Sequence, residues 1–203
     1  MAQPYVYFPL QDEIDVKISA RNPFLDDQVM LSRLIARAIP PGYKLYVKEH
    51  PSHPGKWNWS GLRELRRVSN IELVHPHTSS IELIKNAKAV VTVGSTAGWE
   101  GFLLQVPVVS LGTSFYSLSD LIFNVGSLNE LPGKIRAALD SGPEMYQTRK
   151  EEWLWFIWQT LATCHSGSPF GYSSVFGAIP PKTSESDGAL IGHAITHNTA
   201  FLV

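Results

Sequence analysis

Short apolar runs alternate with amphipathic segments over the first two-thirds of the chain. Five of these runs are rich in β-branched and aromatic residues and predict strands, at residues 5–8, 43–48, 71–74, 89–93 and 107–111. A weaker sixth strand is predicted near residues 122–125. The fourth run is continuously apolar rather than alternating, which is typical of a strand buried on both faces of a parallel sheet.

Helical periodicity occupies the intervals between these strands. Asp26 or Asp27 can cap the first helix, and Ser60 can cap a second, short one. Ser79 with Glu82 has the spacing of a capping box and predicts a third helix that ends near residue 87. Further helices are predicted around residues 99–103 and over residues 129–139.

Strand–helix alternation at this spacing predicts an α/β fold, a Rossmann-like doubly wound parallel sheet formed by residues 1–143. Residues 144–165 predict one helix, running to about residue 162, that carries Trp153, Trp155 and Trp158 and packs on the domain. From residue 166 to 203, Gly, Ser, Pro and Thr dominate, which predicts a loop-rich or disordered tail.

Composition removes several classes of function. With 17 Lys and Arg against 18 Asp and Glu, nothing draws the 203-residue chain to nucleic acid or to anionic lipid. A single cysteine, Cys164, excludes an intramolecular disulfide. No apolar run reaches the roughly 18 residues of a membrane-spanning helix, and the first residues lack the pattern of a signal peptide. The expectation is a cytoplasmic protein without a membrane span.

Three polar clusters follow predicted strands, at residues 9–15, 48–51 and 94–100. Because ligands bind at the carboxyl ends of the strands of an open parallel sheet, we expect these clusters to converge on one site. In the third cluster, Gly94, Ser95, Thr96 and Gly98 lead from a buried strand into a helix, whose N-terminus favours an anion. The alternative is a plain helix cap. The spacing matches neither the dinucleotide fingerprint nor a P-loop.

His50 ends the second strand, before Pro51, and can donate a hydrogen bond to a phosphate or transfer a proton. The alternative is a hydrogen-bonding role confined to the strand end. In the first cluster, Gln11 and Asp15 can orient an acceptor or act as a base, or else cap a turn in solvent. The histidine pairs at 50 and 53 and at 75 and 77 have no accompanying carboxylates, so no metal site is predicted.

Ordered short motifs resemble those of bacterial capsule polysaccharide biosynthesis proteins, more narrowly of glycosyltransferases of the Kdo-transferase type. The motifs span residues 5–161 and are Phe8-Pro9-Leu10-Gln11, Val47-Lys48-Glu49-His50-Pro51, Val93-Gly94-Ser95-Thr96-Ala97-Gly98-Trp99-Glu100-Gly101, the stretch 106–112 and Ser114-Phe115-Tyr116. The resemblance implies a GT-B enzyme, with two Rossmann-like halves around a cleft. This chain is similar to the C-terminal half, which binds the nucleotide-sugar donor.

The resemblance also implies roles for individual residues. His50 matches the family's His-Pro histidine, Ser95 and Thr96 match its hydroxyl pair, and Glu100 is a candidate ribose contact. Gln11 and Asp15 fall in its Gln-x-x-x-Asp loop, and both are candidate catalytic residues together with His50. The candidate donor-binding residues are Lys48, Glu49, Gly94, Ser95, Thr96, Ala97, Gly98 and Glu100. The implied donor is a CMP-linked rather than a UDP-linked sugar, with a glycan as acceptor and no further cofactor.

Size departs from the family pattern, because a complete two-lobed enzyme needs two domains of about 150 residues each. A fragment, a subunit that borrows its second lobe from a partner or from another copy, and a binding module all remain open. Peripheral association with the inner membrane is also open. Two other functions are kept as alternatives, a non-catalytic interaction module of capsule assembly and one half of an enzyme similar to a nucleotide-sugar epimerase.

Overall fold

Six parallel strands form one sheet in this computed structural model, which describes residues 3–11, 23–50 and 59–163. The strands are β1 (Tyr5–Pro9), β2 (Lys44–Lys48), β3 (Ile71–Val74), β4 (Ala89–Thr92), β5 (Val108–Ser110) and β6 (Phe123–Asn124). All six predicted strands are confirmed, most of them shorter than predicted by one or two residues. All four residues of β4 are buried, as its continuous apolar run indicates.

The strands lie in the order β3-β2-β1-β4-β5-β6. After β1 the chain proceeds outward through β2 to β3, and then crosses back to place β4 on the other side of β1. The doubly wound Rossmann-like class is therefore confirmed. The strand order reverses between β1 and β4, and in sheets of this class the crevice that binds a ligand is expected at the carboxyl ends of the two strands at such a reversal.

Helices cover both faces of the sheet within the described residues. They are α1 (Gln28–Ala38), α2 (Trp59–Arg66), α3 (Ser80–Asn86), α4 (Thr96–Leu103) and α5 (Leu131–Ser141). The first face carries α1, α2 and α5, and the second carries α3 and α4. Short 3₁₀ turns occupy Pro23–Leu25, Phe115–Leu118 and Leu128–Glu130.

The core lies between the sheet and the α1–α5 face. Alternate residues of each strand point into it, and they are joined by apolar residues of the two helices. Its fully buried members include Val6, Phe8, Leu31, Ile35, Leu45, Val91, Val109 and Ile135. Tyr7 and Thr92, which have the opposite parity in their strands, lie toward α3 and α4 and are also fully buried.

Capping chemistry explains where several helices begin. Asp27, rather than Asp26, accepts a hydrogen bond from the Met30 amide at 2.8 Å. Ser79 accepts one from the Glu82 amide at 3.3 Å, as predicted. The prediction for Ser60 is wrong, because Ser60 lies inside α2.

The fifth helix begins later than predicted, at Leu131 instead of residue 129. Residues 128–130 form a 3₁₀ turn, and Pro132 lies in the first turn of α5. Proline has no amide hydrogen to donate and a fixed φ, so the first turn of a helix is where it fits.

The single helix predicted from residue 144 is also wrong. Arg149 leaves helical geometry, with φ of −110° and ψ of 37°, and separates α6 (Glu144–Thr148) from α7 (Lys150–Thr163). Tyr146 anchors α6, since its hydroxyl is buried and donates to the Val106 carbonyl at 3.1 Å.

Two compact units divide the chain, at Met1–Lys150 and Glu151–Val203. On α7, Trp155 and Trp158 are exposed and stack on each other with ring centroids 5.1 Å apart. The predicted tail, residues 166–203, lies outside the described residues, and the packing of the C-terminal helix on the domain stays a prediction. No helix of the described ranges is long and apolar enough to cross a bilayer.

Close approach of α4 to the loop after β5 requires glycine at residue 98. A Cβ there would lie 2.6 Å from Cζ of the buried Tyr116. We expect Gly98→Ala to lower the free energy of unfolding by about 1–3 kcal/mol, because the ring must move.

At the exposed Gly133 of α5 a Cβ would meet nothing within 4 Å. Gly133→Ala should therefore raise stability by up to about 1 kcal/mol. Urea melts of both variants test this, and equal effects would contradict it.

Candidate functional site

The carboxyl ends of β1, β2 and β4 bring the predicted polar clusters to one edge of the sheet. Gln11 follows β1, His50 follows β2, and Gly94 to Thr96 follow β4. His50 is exposed and Gln11 is buried. Asp15 falls outside the described residues. The described parts of all three clusters therefore lie at one edge of the sheet, and their convergence on one ligand site stays a prediction.

The turn between β4 and α4 is held by one threonine. The buried Thr92 Oγ1 accepts hydrogen bonds from the amides of Gly94 and Ser95, at 3.1 and 2.9 Å. The same oxygen lies 2.8 Å from Ser95 Oγ. Gly94 adopts a φ of +116°, in the left-handed region where a side chain is strained, so the turn requires glycine there.

The alternative of a plain serine cap does not describe this helix. Ser95 is the N-cap residue of α4, yet its side chain makes no cap hydrogen bond, because its hydroxyl is engaged with Thr92. Thr96 is exposed, and no hydrogen bond joins its hydroxyl to any described residue. The N-terminus of α4 therefore has no side-chain cap from Ser95, and beside it lies a Thr96 hydroxyl that no described residue bonds.

A second loop, which follows β5, lies opposite the turn between β4 and α4. The Tyr116 hydroxyl donates to the Ser95 carbonyl at 2.8 Å, which ties the two loops together. Burial raises the pKa of Tyr116, and hydrogen bonds with the hydroxyls of Ser114 and Thr92 oppose that shift. In the sequence, Ser114-Phe115-Tyr116 carried part of the family resemblance and no role was predicted for it. The signal that could have pointed to a site there is a polar and aromatic run directly after a strand.

A cavity of about 100 Å³ lies between these two loops. Gly94, Ser95 and Thr96 line one side, Thr113, Ser114, Phe115 and Tyr116 line the other, and Trp99 completes it. Of the predicted donor-binding residues, only Gly94, Ser95 and Thr96 line it. Ala97 and Gly98 are buried in the first turn of α4.

Lys48 and Glu100 are charge partners on the sheet face that α3 and α4 cover. Burial lowers the pKa of Lys48, and the Glu100 carboxylate opposes that shift. Burial likewise raises the pKa of Glu100, with Lys48 acting in opposition. Lys48 Nζ donates to the Pro76 carbonyl at 3.1 Å. The role of Lys48 as a donor-binding residue stays a prediction, and in the structure its ammonium bonds to a backbone carbonyl after β3.

Tyr7 lies near the same pair. Its side chain is fully buried in β1. Burial raises the pKa of the Tyr7 hydroxyl to about 12, opposed by the Ser80 hydroxyl and reinforced by the Glu100 carboxylate.

Gln11 is clamped by a residue that the sequence did not single out. Its amide donates to Gln28 Oε1 at 2.7 Å, and Gln28 Nε2 donates back to the Gln11 carbonyl at 2.9 Å. Gln28 is fully buried at the first position of α1 and supplies the bonds that a neighbouring strand would. A glutamine directly after the helix cap was the only signal. The clamp sets where the chain leaves β1.

The histidines form no metal site in the described part of the chain. The rings of His75 and His77 lie 5.5 Å apart, and the His77 amide donates to His75 Nδ1 at 3.3 Å within one turn. The described residues contain no group of three or more His, Cys, Asp or Glu side chains placed to hold a metal ion.

Comparison with known proteins identifies the family. A family model described as capsule polysaccharide biosynthesis protein matches residues 1–126, more than half of the chain. This chain belongs to that family. Protein FixF of Sinorhizobium fredii is 29% identical over 147 residues, which cover 68% of this chain and 33% of FixF. The family resemblance drawn from the ordered motifs is confirmed.

Solved structures share the fold of this capsule biosynthesis protein. KpsC of Thermosulfurimonas dismutans, a beta Kdo 2,7 transferase, superposes with a TM-score of 0.51 at 23% identity, over 66% of this chain and 45% of KpsC. The UDP-GlcNAc 2-epimerase of Methanocaldococcus jannaschii superposes with a TM-score of 0.52 at 17% identity, over 70% of this chain and 40% of the enzyme. The fold is thus that of one lobe of a GT-B-type protein. The chain spans between a third and half of the length of these relatives.

Thr92 provides a test of the site's framework. Thr92→Val removes the acceptor of two amides, and we expect a loss of about 1–3 kcal/mol in the free energy of unfolding, because those donors stay in place without a partner. Thr92→Ser keeps the oxygen and should cost clearly less. Chemical denaturation of the two variants compares them, and a serine variant as unstable as the valine variant would refute the role of the hydroxyl.

Tyr7 predicts a pH dependence of stability. The pKa of Tyr7 is about 12 in the folded chain, and the ordinary pKa of tyrosine is about 10. Between these two values the folded state binds more protons than the unfolded state, so stability falls as pH rises. The Tyr7→Phe variant lacks this contribution. As the pH rises from 9 to 12, its free energy of unfolding should fall by roughly 1–3 kcal/mol less than that of the unmutated protein. Urea melts across this range measure the difference, and parallel curves would contradict the prediction.

Proposed function

We propose that this chain is the nucleotide-sugar-binding lobe of a glycosyltransferase of capsule or surface polysaccharide biosynthesis, with a CMP-linked, Kdo-like donor. The observation that carries the proposal is the start of α4 beside the crevice between β1 and β4. There Ser95 bonds to Thr92 instead of capping the helix, and the exposed Thr96 hydroxyl has no hydrogen bond within the described ranges. A helix start of this kind, at the switch point of a doubly wound sheet, suits a phosphate.

The donor phosphate binds at this helix start in the proposed complex. The amides at the beginning of α4 and the Thr96 hydroxyl donate to its oxygens, and the helix dipole favours its charge. His50, which is exposed at the end of β2, donates a further hydrogen bond or transfers a proton. Glu100 and Glu49 are half-buried and can accept hydrogen bonds from ribose hydroxyls.

Sugar transfer develops negative charge on the departing phosphate while the sugar becomes oxocarbenium-like. Donors that are already fixed in place stabilise the phosphate most when its charge is greatest, which lowers the barrier. A metal is not required by this scheme. Gln11, held by Gln28, orients the acceptor, and the Asp15 carboxylate acts as the base that takes the acceptor's proton.

The acceptor-binding surface is proposed to come from a second lobe. The chain covers less than half of the KpsC structure, and a GT-B active site lies between two lobes. A partner chain, a second copy or a further part of a longer protein can supply this lobe. Peripheral contact with the cytoplasmic face of the inner membrane belongs to the same proposal.

A second candidate is one half of an enzyme similar to a nucleotide-sugar epimerase. The fold of this chain is similar to that of the UDP-GlcNAc 2-epimerase, with a TM-score of 0.52, and this similarity favours the alternative. The two candidates differ in the nucleotide that they predict, since the epimerase alternative predicts preference for UDP. A non-catalytic interaction module predicts no nucleotide binding.

Calorimetric titration with CMP, UDP and CDP tests the proposal. We expect CMP to bind most tightly. The double variant Ser95→Ala/Thr96→Ala should weaken CMP binding at least about tenfold, because it removes the Thr96 hydrogen bond to the charged phosphate and the Ser95–Thr92 contact that holds the turn. His50→Ala should weaken it by a similar factor. Ser141→Ala is the matched control, since this serine donates only to Ala137 within the exposed part of α5.

Other outcomes separate the candidates. A preference for UDP that is lost in the same variants would favour the epimerase alternative. A folded protein that binds none of the three nucleotides would overturn both and favour the interaction module. Near-ultraviolet circular dichroism of each variant establishes that it is folded.

A further inference from the structure

Two aromatic rings form one side of the cavity next to the phosphate site. Trp99 and Phe115 meet edge to face, with ring centroids 5.1 Å apart and planes at 63°. Phe115 is 51% exposed although it is large and apolar, and Trp99 is half-buried. Both rings line the cavity. Core packing does not explain why the half-exposed Phe115 lies at the cavity, so its placement there calls for another explanation.

Neighbouring side chains hold both rings in place, by stacking on Trp99 and by hydrogen bonds around Phe115. Trp99 stacks on the fully buried Phe102, with centroids 5.5 Å apart and planes at 14°. Phe115 starts a 3₁₀ turn that Ser114 and Ser117 cap reciprocally, with their hydroxyl oxygens 2.9 Å apart. The next residue, Tyr116, is tied to the Ser95 carbonyl. The aromatic surface is therefore preorganised, which reduces the entropy lost when a ligand binds.

Hydroxyl groups surround this aromatic surface. Ser95, Thr96, Thr113 and Ser114 line the same cavity. A sugar ring has apolar C–H faces and a polar equator, so it matches an aromatic wall bordered by hydroxyls. A nucleobase can also stack on aromatic rings, but among side chains this cavity offers the edges of a base only hydroxyls and no amide or charged group in a fixed direction. The lining thus favours a sugar ring over a base.

Position supports the same choice. Gly94, Ser95 and Thr96 line the cavity and also form the start of α4, where the phosphate is proposed to bind. A ring in this cavity must consequently be attached directly to the phosphate. In a nucleotide sugar the transferred sugar and the ribose both meet this condition, whereas the base is separated from the phosphate by the ribose. The ribose is placed at Glu49 and Glu100 in the proposed complex, which leaves the cavity to the transferred sugar.

We propose that Phe115 and Trp99 are specificity-determining residues that stack against the transferred sugar of a nucleotide-sugar donor. This inference rests on the proposed function and extends it, since it names the part of the donor that each loop recognises. The β4–α4 turn holds the phosphate, and the loop after β5 distinguishes the sugar bonded to it.

Phe115 offers the cleaner test, because half of its surface is exposed and its removal leaves the fold supported by Tyr116. Calorimetry compares CMP with CMP-Kdo, and UDP with UDP-GlcNAc, on the unmutated protein and on variants. Phe115→Ala should weaken binding of the better-bound nucleotide sugar about three- to tenfold, the range expected for one aromatic contact. It should change binding of the free nucleotide less than about twofold, because no sugar occupies the cavity.

Two matched variants complete the experiment. Phe115→Tyr keeps the ring and should restore the affinity for the nucleotide sugar. Leu118→Ala truncates an 81% exposed residue of the same 3₁₀ turn and should change the affinity for neither ligand.

The outcomes separate this inference from the function on which it rests. Equal weakening of nucleotide and nucleotide sugar by Phe115→Ala would overturn it, because the ring would then contact the nucleoside. Unchanged binding of both would also overturn it, and the proposed function would stand if Ser95→Ala/Thr96→Ala still weakened both ligands. Failure of the unmutated protein to bind any of the four ligands would overturn the proposed function and this inference together.

Discussion

The site depends on the hydroxyl of Thr92, the last residue of β4. This single buried oxygen accepts from the Gly94 and Ser95 amides and pairs with the Ser95 hydroxyl, so it sets both the turn and the first residue of α4. The Ser95 carbonyl then receives the Tyr116 hydroxyl, which fixes the loop after β5. Two loops from adjacent strands are thus positioned through one side chain. Because Ser95 is engaged in this network, it does not cap the helix whose N-terminus faces the cavity.

The two faces of the sheet have different physical roles. The α1–α5 face buries the apolar cluster described above, and the α3–α4 face buries apolar residues as well, among them Ile84, Val90, Phe102 and Val108. The α3–α4 face buries polar groups beneath the site, namely Tyr7, Lys48 and the partly buried Glu100. Burying charge is unfavourable, and here each charge offsets part of the other's desolvation. Buried charged groups of this kind are often found at ligand sites, which agrees with the proposed position of the donor.

Sequence patterns predicted the strands well and the helix ends less well. β4 was recognised because burial on both faces demands an unbroken apolar run, and Asp27 because a cap acts within its own turn. Ser60 was misassigned, since a serine inside a helix has the same local signature as a cap. The break at Arg149 was missed because it accompanies the burial of Tyr146 against Val106, a contact 40 positions away in the chain.

The amino-acid sequence by itself determined the alternation of strands and helices, the parallel sheet and the order of the motifs, from which the family followed. These properties are local or periodic, so they are legible along the chain. Only the tertiary structure decided which side chains meet. In it, Gln28 is hydrogen-bonded to Gln11, Lys48 donates to a backbone carbonyl, and Phe115 contacts Trp99 beside the cavity. Hydrogen bonds and ring contacts between distant segments depend on angles and distances that arise only when strands pair and helices pack.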